Sequence, residues 1–417
     1  MTIERNPNPD GVELLMLAGA WLAPFNFVLG VSVGGLSIRP LHLWAIAVLL
    51  VLVATDRDRL VAAIDWPVLA FWTVLAFIAL STVFGTPPEY KFRGLADVGL
   101  LSLNVVGFTV MRGYYATRPA AWYRFFKSIA ISSVLMSIAL TIRAISVGNK
   151  GWVAGVDSFA LGLGTIAGTY TAGFAAAAAA AIVFATTRRQ LAAALIAFIV
   201  HGNAMVLALA RGPWLAFAVA LITTIPLAAW RFGSRFSIGR TTLRGVATLL
   251  ALPVFFRIAI AYNPFIRDLL VQRVVQVVNL ESGSGSSRLI VWQAFLHDAG
   301  RSPVFGRGAA AYREISERLG TQGAVSENFG VEILHAGGVV AAAFFILGLI
   351  GVARYCLVKP GAERSPVFTA ACFSGATAMV LASMTNPAAW NGLFWIVLGL
   401  AATRPVTALT GGALSPA

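Results

Sequence analysis

The sequence predicts an all-α membrane protein that crosses the bilayer many times. Its composition supports this class, because hydrophobic residues make up 58% of the 417 residues and charged residues only 12%. A soluble domain of ordinary composition has about 25% charged residues. An open sheet cannot satisfy its backbone groups in lipid, and a barrel would show alternating strands, so the long apolar stretches are interpreted as helices.

A helix needs about 20 mostly apolar residues to span a bilayer, and twelve candidate spans of this kind follow one another along the chain. They are residues 12–30, 36–55, 64–85, 94–111, 122–142, 158–186, 190–209, 213–230, 243–262, 326–353, 366–385 and 390–408. The span 158–186 contains the alanine run 175–181, so a tilted or broken helix is an alternative there. Residues 1–10 are polar and no small-residue cleavage site follows, so we expect the first span to remain as an anchor.

Lysine and arginine in the short loops indicate the orientation, because cytoplasmic loops carry an excess of them. With the N-terminus in the cytoplasm, the inside loops hold Arg57, Arg59, Arg112, Arg118, Arg124, Lys127, Arg188, Arg189, Arg231, Arg235, Arg240, Arg244, Arg354, Lys359 and Arg364. The opposite short loops hold fewer: Arg39, Lys91, Arg93, Arg143, Lys150 and Arg211. We therefore expect both termini in the cytoplasm, and we attribute the net charge of +14 largely to topology and not to nucleic-acid binding.

This orientation divides the chain into three parts. Residues 1–262 hold the first nine spans, residues 263–325 form one large extracytoplasmic loop, and residues 326–417 hold the last three spans and a cytoplasmic tail. The loop is predicted to contain an amphipathic helix over 286–298, capped by one of the serines at 286 and 287, and a second short helix at about 309–319. The apolar side predicted for the first helix consists of Leu289, Trp292, Ala294, Phe295 and Leu296.

Several kinds of site are disfavoured by the sequence. Cys356 falls in an inside loop and Cys372 within a span, so we expect no disulfide between them. The four histidines show no metal-binding spacing, and the chain has no glycine-rich phosphate loop. We therefore expect neither a metal nor another cofactor, and we disfavour a nucleotide-driven transporter or a nucleotide-sugar enzyme.

Three segments carry a resemblance to a known family. Residues 287–308 read Ser-Arg-Leu-Ile-Val-Trp followed by Pro-Val-Phe-Gly-Arg-Gly, residues 210–214 read Ala-Arg-Gly-Pro-Trp, and Glu327-Asn328 precedes Ala-Gly-Gly at 336–338. They resemble the SxRxxxW…PxxGxG, SRG and HN…GxxG elements of the O-antigen ligase and Wzy-type O-antigen polymerase superfamily. The resemblance covers about residues 200–400, and the three elements occur in the family's order.

This resemblance implies a function. Members of the family are metal-independent glycosyltransferases of the multi-span, GT-C-like class, which move a glycan from undecaprenyl diphosphate on the outer leaflet to an acceptor. It therefore implies a lipid-linked glycan donor and a glycan or glycolipid acceptor among membrane lipids, and it leaves room for other polysaccharide-assembly proteins. Glu327 stands where the ligases carry histidine, which favours a polysaccharide polymerase in the bacterial inner membrane over an O-antigen ligase acting on lipid A-core.

The predicted catalytic and phosphate-binding residues follow from the same segments. Arg211 and Arg288 are the predicted ligands of the lipid diphosphate, because arginine binds phosphate oxygens with a permanent charge and two parallel hydrogen bonds. The alternatives are an interfacial helix end for Arg211 and an ordinary loop helix for Arg288. Glu327 is the predicted general base, with His335 as its substitute. Direct attack by the acceptor hydroxyl predicts inversion at the anomeric carbon.

Four further residues are predicted to line the substrate site: Asn328, Glu332, Trp390 and Asn391. The spacing of 328, 332 and 335 places these three on one helical face. Packing between helices is the alternative for the polar side chains, and an aromatic belt is the alternative for the tryptophan. The alternative function is a transporter or flippase that binds the lipid-linked glycan without reacting, although the two corresponding halves typical of many transporters are not evident.

Overall fold

The computed structural model describes residues 10–403 except 27–28, 34–35, 63, 117, 154–164, 233–237, 263–270, 272–274, 276–283, 321–325, 327, 358–364 and 386–389. The helices are α1 Gly11–Leu22, α2 Pro40–Thr55, α3 Arg57–Ala62, α4 Trp66–Gly85, α5 Pro88–Ala116, α6 Pro119–Val153, α7 Thr165–Phe184, α8 Arg188–Leu207, α9 Arg211–Phe232, α10 Ile238–Tyr262, α11 Ser284–Ala299, α12 Tyr312–Arg318, α13 Phe329–Leu357, α14 Pro366–Ser383 and α15 Gly392–Ala402. A 3₁₀ turn, Ala23–Phe25, follows α1, and the short strands β1 Val31–Val33 and β2 Leu36–Ile38 form an antiparallel hairpin before α2. The structure confirms the all-α membrane class.

Each of the twelve predicted spans overlaps one described helix, and parts of the spans 12–30, 158–186 and 390–408 lie outside the described residues. Among the described residues, nine helices are long and apolar enough to cross a membrane, and three apolar helices are shorter: Gly11–Phe25, Pro40–Thr55 and Gly392–Ala402. The 16 residues of α2 extend about 24 Å, against about 30 Å of bilayer hydrocarbon. Nine helices therefore meet the length for a full crossing, and the other three fall short of it.

The alanine-rich span packs closely against another helix. Its described helix, α7, begins at Thr165 and is continuous to Phe184. A Cβ atom added at Gly173 would lie 3.2 Å from the backbone oxygen of Gly375, so α7 and α14 approach each other closely. Small residues permit such an approach in membranes, where packing rather than the hydrophobic effect holds helices together. The described part of this span is therefore unbroken.

Helix α13 breaks at Gly338, whose backbone is in the left-handed region at φ +69°. A break of this kind leaves carbonyl and amide groups without partners inside the helix. Three backbone hydrogen bonds to the segment 303–308 replace them: the Arg307 N–H donates to the His335 carbonyl at 2.7 Å, the Gly308 N–H to the Ala336 carbonyl at 2.9 Å, and the Val339 N–H to the Pro303 carbonyl at 2.8 Å. The loop segment is thus built into the helix bundle.

Two glycines of the segment 303–308 lie where a side chain would not fit. Gly306 and Gly308 have φ angles of +77° and +86°, which favour glycine. A Cβ atom at Gly306 would lie 2.5 Å from the backbone nitrogen of Gly338, and one at Gly308 would lie 2.6 Å from the Cα atom of Thr82. The PxxGxG element is therefore a packing device that docks the loop between α4 and α13.

Further hydrogen bonds hold this segment to the end of α4. The Ser81 hydroxyl donates to the Phe305 carbonyl, and the Thr86 hydroxyl donates to the Ala309 carbonyl at 3.0 Å. The Ala309 N–H in turn donates to the Thr82 hydroxyl at 2.9 Å. We call the end of the bundle that carries α11, α12 and this segment the loop end, and the other the opposite end.

Candidate active site

A cavity of about 270 Å³ that several polar side chains line lies at the loop end of the bundle. Helix ends that are far apart in the sequence form its wall, from α2, α5, α11, α13 and the turn before α15. Its ionisable or hydrogen-bonding lining side chains include Arg39, His42, Arg93, Asp97, Tyr312, Glu332, His335 and Trp390. The cavity therefore brings together acids, bases and cations that sequence spacing does not connect.

A histidine and a carboxylate form a buried pair at this cavity. His335 and Asp298 are each 2% exposed, and Nε2 of the histidine lies 3.0 Å from Oδ2 of the aspartate. Burial raises the pKa of Asp298, but the hydrogen bond to His335 and the charge of Arg307 outweigh this and hold the pKa at about 2. The carboxylate can therefore only accept, so Nε2 of His335 donates to it. With Nε2 engaged in this way, Nδ1 is the ring nitrogen that can take part in proton transfer.

An arginine cluster surrounds the buried carboxylate. Arg301 Nη1 lies 3.2 Å from Asp298 Oδ1, Arg307 Nε lies 3.2 Å from Oδ2, and Arg318 Nη2 lies 3.6 Å from Oδ1. Arg307 also reaches Glu314 at 3.3 Å, which ties the docked segment to α12. These contacts fix the end of α11, the segment 303–308 and α12 around one aspartate, and thereby fix the histidine that it holds.

Helix α11 faces the bundle differently from the prediction. It begins at Ser284, two positions before the expected cap, and its buried side includes Phe295 and Asp298. Leu289 and Leu296, which were placed on the apolar inner side, are 42% and 47% exposed. The Phe295 ring lies 4.9 Å from the His335 ring. Asp298 therefore lies on the buried side of α11, where its carboxylate accepts a hydrogen bond from His335.

Glu332 and Trp390 form a second contact at the cavity. The Trp390 indole N–H donates to Glu332 Oε2, and the Ser326 hydroxyl donates to Oε1 at 3.2 Å. Glu332 is 7% exposed. Both residues line the cavity, where the tryptophan donates to the carboxylate.

The structure places the two predicted asparagines at helix starts. Asn328 accepts the Val331 N–H at 3.1 Å and so caps α13. Asn391 is 2% exposed, caps α15 by accepting the Leu393 N–H at 3.3 Å, and accepts from the Asn26 amide at 2.7 Å. Neither is among the described residues that line the cavity. Their observed contacts hold the helices that carry the site.

The remaining predicted residues lie elsewhere or outside the described chain. Arg211 is partly buried in the first turn of α9, and Arg288 is partly buried in α11. Both make contacts with other residues, and neither is among the described residues that line the cavity. Glu327 lies outside the described residues. The expected convergence of the two arginines stays a prediction.

Sequence reasoning missed Asp298, Arg39, His42, Arg93 and Asp97 as site residues. The sequence identifies Arg39 and Arg93 only as basic residues of the predicted extracytoplasmic loops, which hold few lysines and arginines. That asymmetry was itself a signal, because a basic residue is the exception on the extracytoplasmic side. For Asp298 the sequence carries no comparable signal, since its partner His335 is 37 positions away.

A second cavity of about 200 Å³ lies inside the bundle among α6, α7, α8 and α14. Its lining is mostly alanine and other apolar side chains, with the buried His201 at one side. Both ring nitrogens of His201 meet hydroxyls, Nδ1 at 2.8 Å from Ser137 Oγ and Nε2 at 3.5 Å from Ser133 Oγ. This cavity offers space for an apolar group, whereas the loop-end cavity offers acid–base chemistry.

Many apolar helices and a buried histidine–aspartate pair beside a cavity indicate a membrane protein with a candidate site at one end of its bundle. Residues 193–346 match the family model described as O-antigen ligase, and this stretch includes α11, the docked segment and His335. The resemblance to the O-antigen ligase and Wzy-type superfamily is thus confirmed over these residues.

The family match supports a function of the ligase or polymerase type, which is a glycosyltransferase-like activity on a lipid-linked glycan donor and an acceptor in the membrane. No curated protein matches the chain. Arg39, His42, Arg93 and Trp390 lie outside the matched residues.

Proposed function

We propose that this protein is a metal-independent, inverting glycosyltransferase that moves a glycan from undecaprenyl diphosphate to an acceptor hydroxyl. The reaction takes place in the bacterial inner membrane, with both termini cytoplasmic and the loop end facing the periplasm or cell exterior. The observation that carries the proposal is His335, held by Asp298 in the loop-end cavity within the matched domain.

The histidine is the base that this geometry supports. Nδ1 of His335 takes the proton of the acceptor hydroxyl while the hydroxyl oxygen forms a bond to the anomeric carbon. The bond from that carbon to the diphosphate oxygen breaks, and the diphosphate leaves with the electron pair. Asp298 stabilises the imidazolium that forms. Glu327 is the alternative base, and with either group a single displacement inverts the anomeric centre.

The leaving diphosphate needs cationic partners. Arg211 and Arg288 are proposed to bind its oxygens, since guanidinium groups match phosphate geometry and keep their charge. Glu332 and Trp390 line the cavity and are proposed to contact the glycan. Asn328 and Asn391 are proposed to support these contacts through the helix starts that they cap.

Repeat-unit polymerase is the favoured assignment, because Glu327 occupies the position at which the ligases carry histidine. The alternative is an O-antigen ligase that attaches the glycan to lipid A-core. Deleting the gene and sizing the surface polysaccharide distinguishes them. A single capped repeat supports the polymerase, whereas accumulation of long lipid-linked chains supports the ligase.

The reaction itself is tested with purified protein in lipid nanodiscs. We expect a lipid-linked oligosaccharide to give a longer glycan and free undecaprenyl diphosphate in equal amounts, with an unchanged rate in excess chelator. A matched transport measurement uses proteoliposomes. Movement of the lipid between leaflets without release of diphosphate would contradict the transferase and favour the transporter.

A further inference from the structure

The start of α2 contains a donor that the mechanism above does not use. Arg39 is the N-cap residue of α2, and its backbone N–H donates to Nδ1 of His42 at 3.2 Å. Because Nδ1 accepts, the neutral ring carries its proton on Nε2. The backbone therefore fixes both the orientation of the ring and the position of its remaining donor.

That donor lies in the loop-end cavity. His42 lines the cavity and is 4% exposed, and its Nε2 is buried without a hydrogen-bond partner within the described part of the chain. Asn104 of α5 is a polar neighbour whose amide oxygen can accept from the ring, but within the described residues no atom meets Nε2 in hydrogen-bonding geometry. Buried donors are nearly always satisfied in folded proteins, so Nε2 is available to a ligand in this cavity.

Arg39 places a positive charge at the same cavity as the Nε2 donor of His42. Arg39 lines the same cavity, its Nη1 is buried without a hydrogen-bond partner in the described ranges, and its Nε reaches only the Ser37 hydroxyl at 3.5 Å. The neighbouring acids have other contacts, since Asp97 lies 3.2 Å from Arg93 and Glu332 accepts from Trp390. No carboxylate is paired with Arg39 among the residues that the structure describes. A guanidinium in such a place is stabilised by an anion.

We propose that Arg39 and His42 form an anion subsite that binds a phosphate group of a lipid-linked substrate, through Nη1 of the arginine and Nε2 of the histidine. The proposal rests on the proposed glycosyl transfer and adds a pair of ligands that lies outside the matched residues 193–346. A phosphate oxygen accepts from both donors at once, and the guanidinium supplies the opposite charge. His335 lines the same cavity, so the phosphate would bind in the cavity that also contains the proposed base.

The phosphate can come from two sources with the same chemistry. In one, it belongs to the diphosphate of the glycan donor, and losing the subsite raises the donor KM and lowers kcat. In the other, it belongs to the acceptor lipid, and only the acceptor KM rises. Varying donor and acceptor separately in the transfer reaction distinguishes the two.

The test uses full-length protein in nanodiscs and measures binding of undecaprenyl diphosphate directly. Arg39→Gln removes the charge, and His42→Asn keeps an acceptor near the position of Nδ1 while removing the Nε2 donor. We expect Arg39→Gln to weaken binding about 10–100-fold and His42→Asn about 3–10-fold, the range for hydrogen bonds to a charged group. Lys91→Gln is the matched control, because Lys91 is a basic residue at the same end that does not line the described cavity. It should stay within about twofold.

Thermal melting establishes that each variant is folded, and Arg39→Lys, which keeps the charge without the planar fork, should bind with intermediate affinity. Unchanged binding and unchanged KM values in both Arg39→Gln and His42→Asn, with normal transfer by the wild type, overturn the subsite and leave the transferase intact. Weakened binding in these variants, with no transfer by the wild type, supports the subsite and overturns the proposed reaction.

Discussion

Arginine forms ion pairs at both ends of the bundle, but one arginine of the loop end differs from the rest. At the opposite end, Arg112 makes two hydrogen bonds to Asp65, which also accepts from the Tyr355 hydroxyl. At the loop end, Arg301, Arg307 and Arg318 surround Asp298 in a similar way, whereas Arg39 lines a cavity and within the described residues is paired with no carboxylate. Arginine thus holds segments together at both ends, and Arg39 alone of these offers donors to a ligand. The difference is whether the fold brings a carboxylate within reach.

The ion pairs of the opposite end connect helices that are distant in the sequence. Asp65 precedes α4, Arg112 lies near the end of α5, and Tyr355 lies near the end of α13, with the Arg112 guanidinium 4.7 Å from the tyrosine ring centroid. Arg124 of α6 binds Glu13 of α1 through two hydrogen bonds in the same manner. Each of these arginines is paired with an opposite charge, so the contacts stabilise the bundle.

The largest effect should come from the base at the loop end. We expect His335→Gln to lower turnover about 10²–10⁴-fold, because the proton acceptor is lost, while donor binding stays nearly unchanged. Initial rates together with a binding measurement check this. Glu327→Gln is the matched variant. Normal turnover in His335→Gln with loss of turnover in Glu327→Gln would assign the base to Glu327.

The same pair makes a prediction about pH. The pKa of Asp298 is lowered from 3.8 to about 2, so its stabilising contribution is present above 3.8 and is lost as the pH falls through about 2. We therefore expect the melting temperature of the wild type to fall as the pH is lowered from 3.8 to about 2, and that of Asp298→Asn to fall less over the same window. An equal fall in the two proteins would show that the ionised Asp298 carboxylate does not stabilise the fold.

The next effect concerns the leaving group. Arg211→Ala and Arg288→Ala should each remove about 2–4 kcal/mol of transition-state stabilisation, the range for losing one preorganised donor. Lysine at either position should restore little, because it lacks the planar fork. Steady-state kinetics with both substrates measure this. A variant that turns over normally would show that its arginine belongs with the structural ones.

A glycine pair tests whether the docked loop positions the site. Gly306→Ala should lower turnover and melting temperature, because the new Cβ atom would lie 2.5 Å from the Gly338 nitrogen. Gly320→Ala is the control, since Gly320 also has a positive φ but nothing lies within 4 Å of an added Cβ atom. It should show only the backbone strain of about 1–2 kcal/mol. Equal loss of turnover in the two variants would indicate strain alone.

A smaller effect is expected at the opposite end. Arg112→Ala should destabilise the protein by about 1–3 kcal/mol, less than the loss of a fully buried pair, because Asp65 remains 25% exposed. Turnover per folded molecule should not change. Arg57→Ala, an exposed arginine near the same end, should fall within about 0.5 kcal/mol of the wild type. Loss of turnover in folded Arg112→Ala would break the contrast between the two ends.

The smallest perturbation tests which end faces outward. Gln293→Cys, on an exposed position of α11, should label with an impermeant thiol reagent in intact spheroplasts. Thr186→Cys, exposed between α7 and α8 at the opposite end, should label only after permeabilisation. Both native cysteines are buried and provide a low background. The reverse pattern would invert the topology and place the cavity in the cytoplasm.

Sequence alone predicted the membrane class and the approximate position of the apolar helices, because the length of an apolar stretch is a local property. It could not predict which side of α11 faces the bundle. In a membrane bundle an apolar side chain such as Leu289 or Leu296 suits lipid as well as protein, so periodicity does not tell the inner side from the outer.

The site was less accessible to prediction than the spans. His335 was found as a candidate through its family segment, but Asp298 depends on docking of the segment 303–308 at the break in α13, which is a tertiary event. Arg39 and His42 lie about 290 positions before His335 in the chain, and only folding brings their helix to the same cavity. Residues that meet across a bundle leave no spacing pattern for a single sequence to reveal.

A structure of the protein with undecaprenyl diphosphate bound tests most directly whether the lipid diphosphate reacts in the loop-end cavity. We expect phosphate density inside that cavity, within hydrogen-bonding distance of Arg39 and in the same cavity as His335. Phosphate density at the opposite end, beside Arg112 or Arg124, would contradict it.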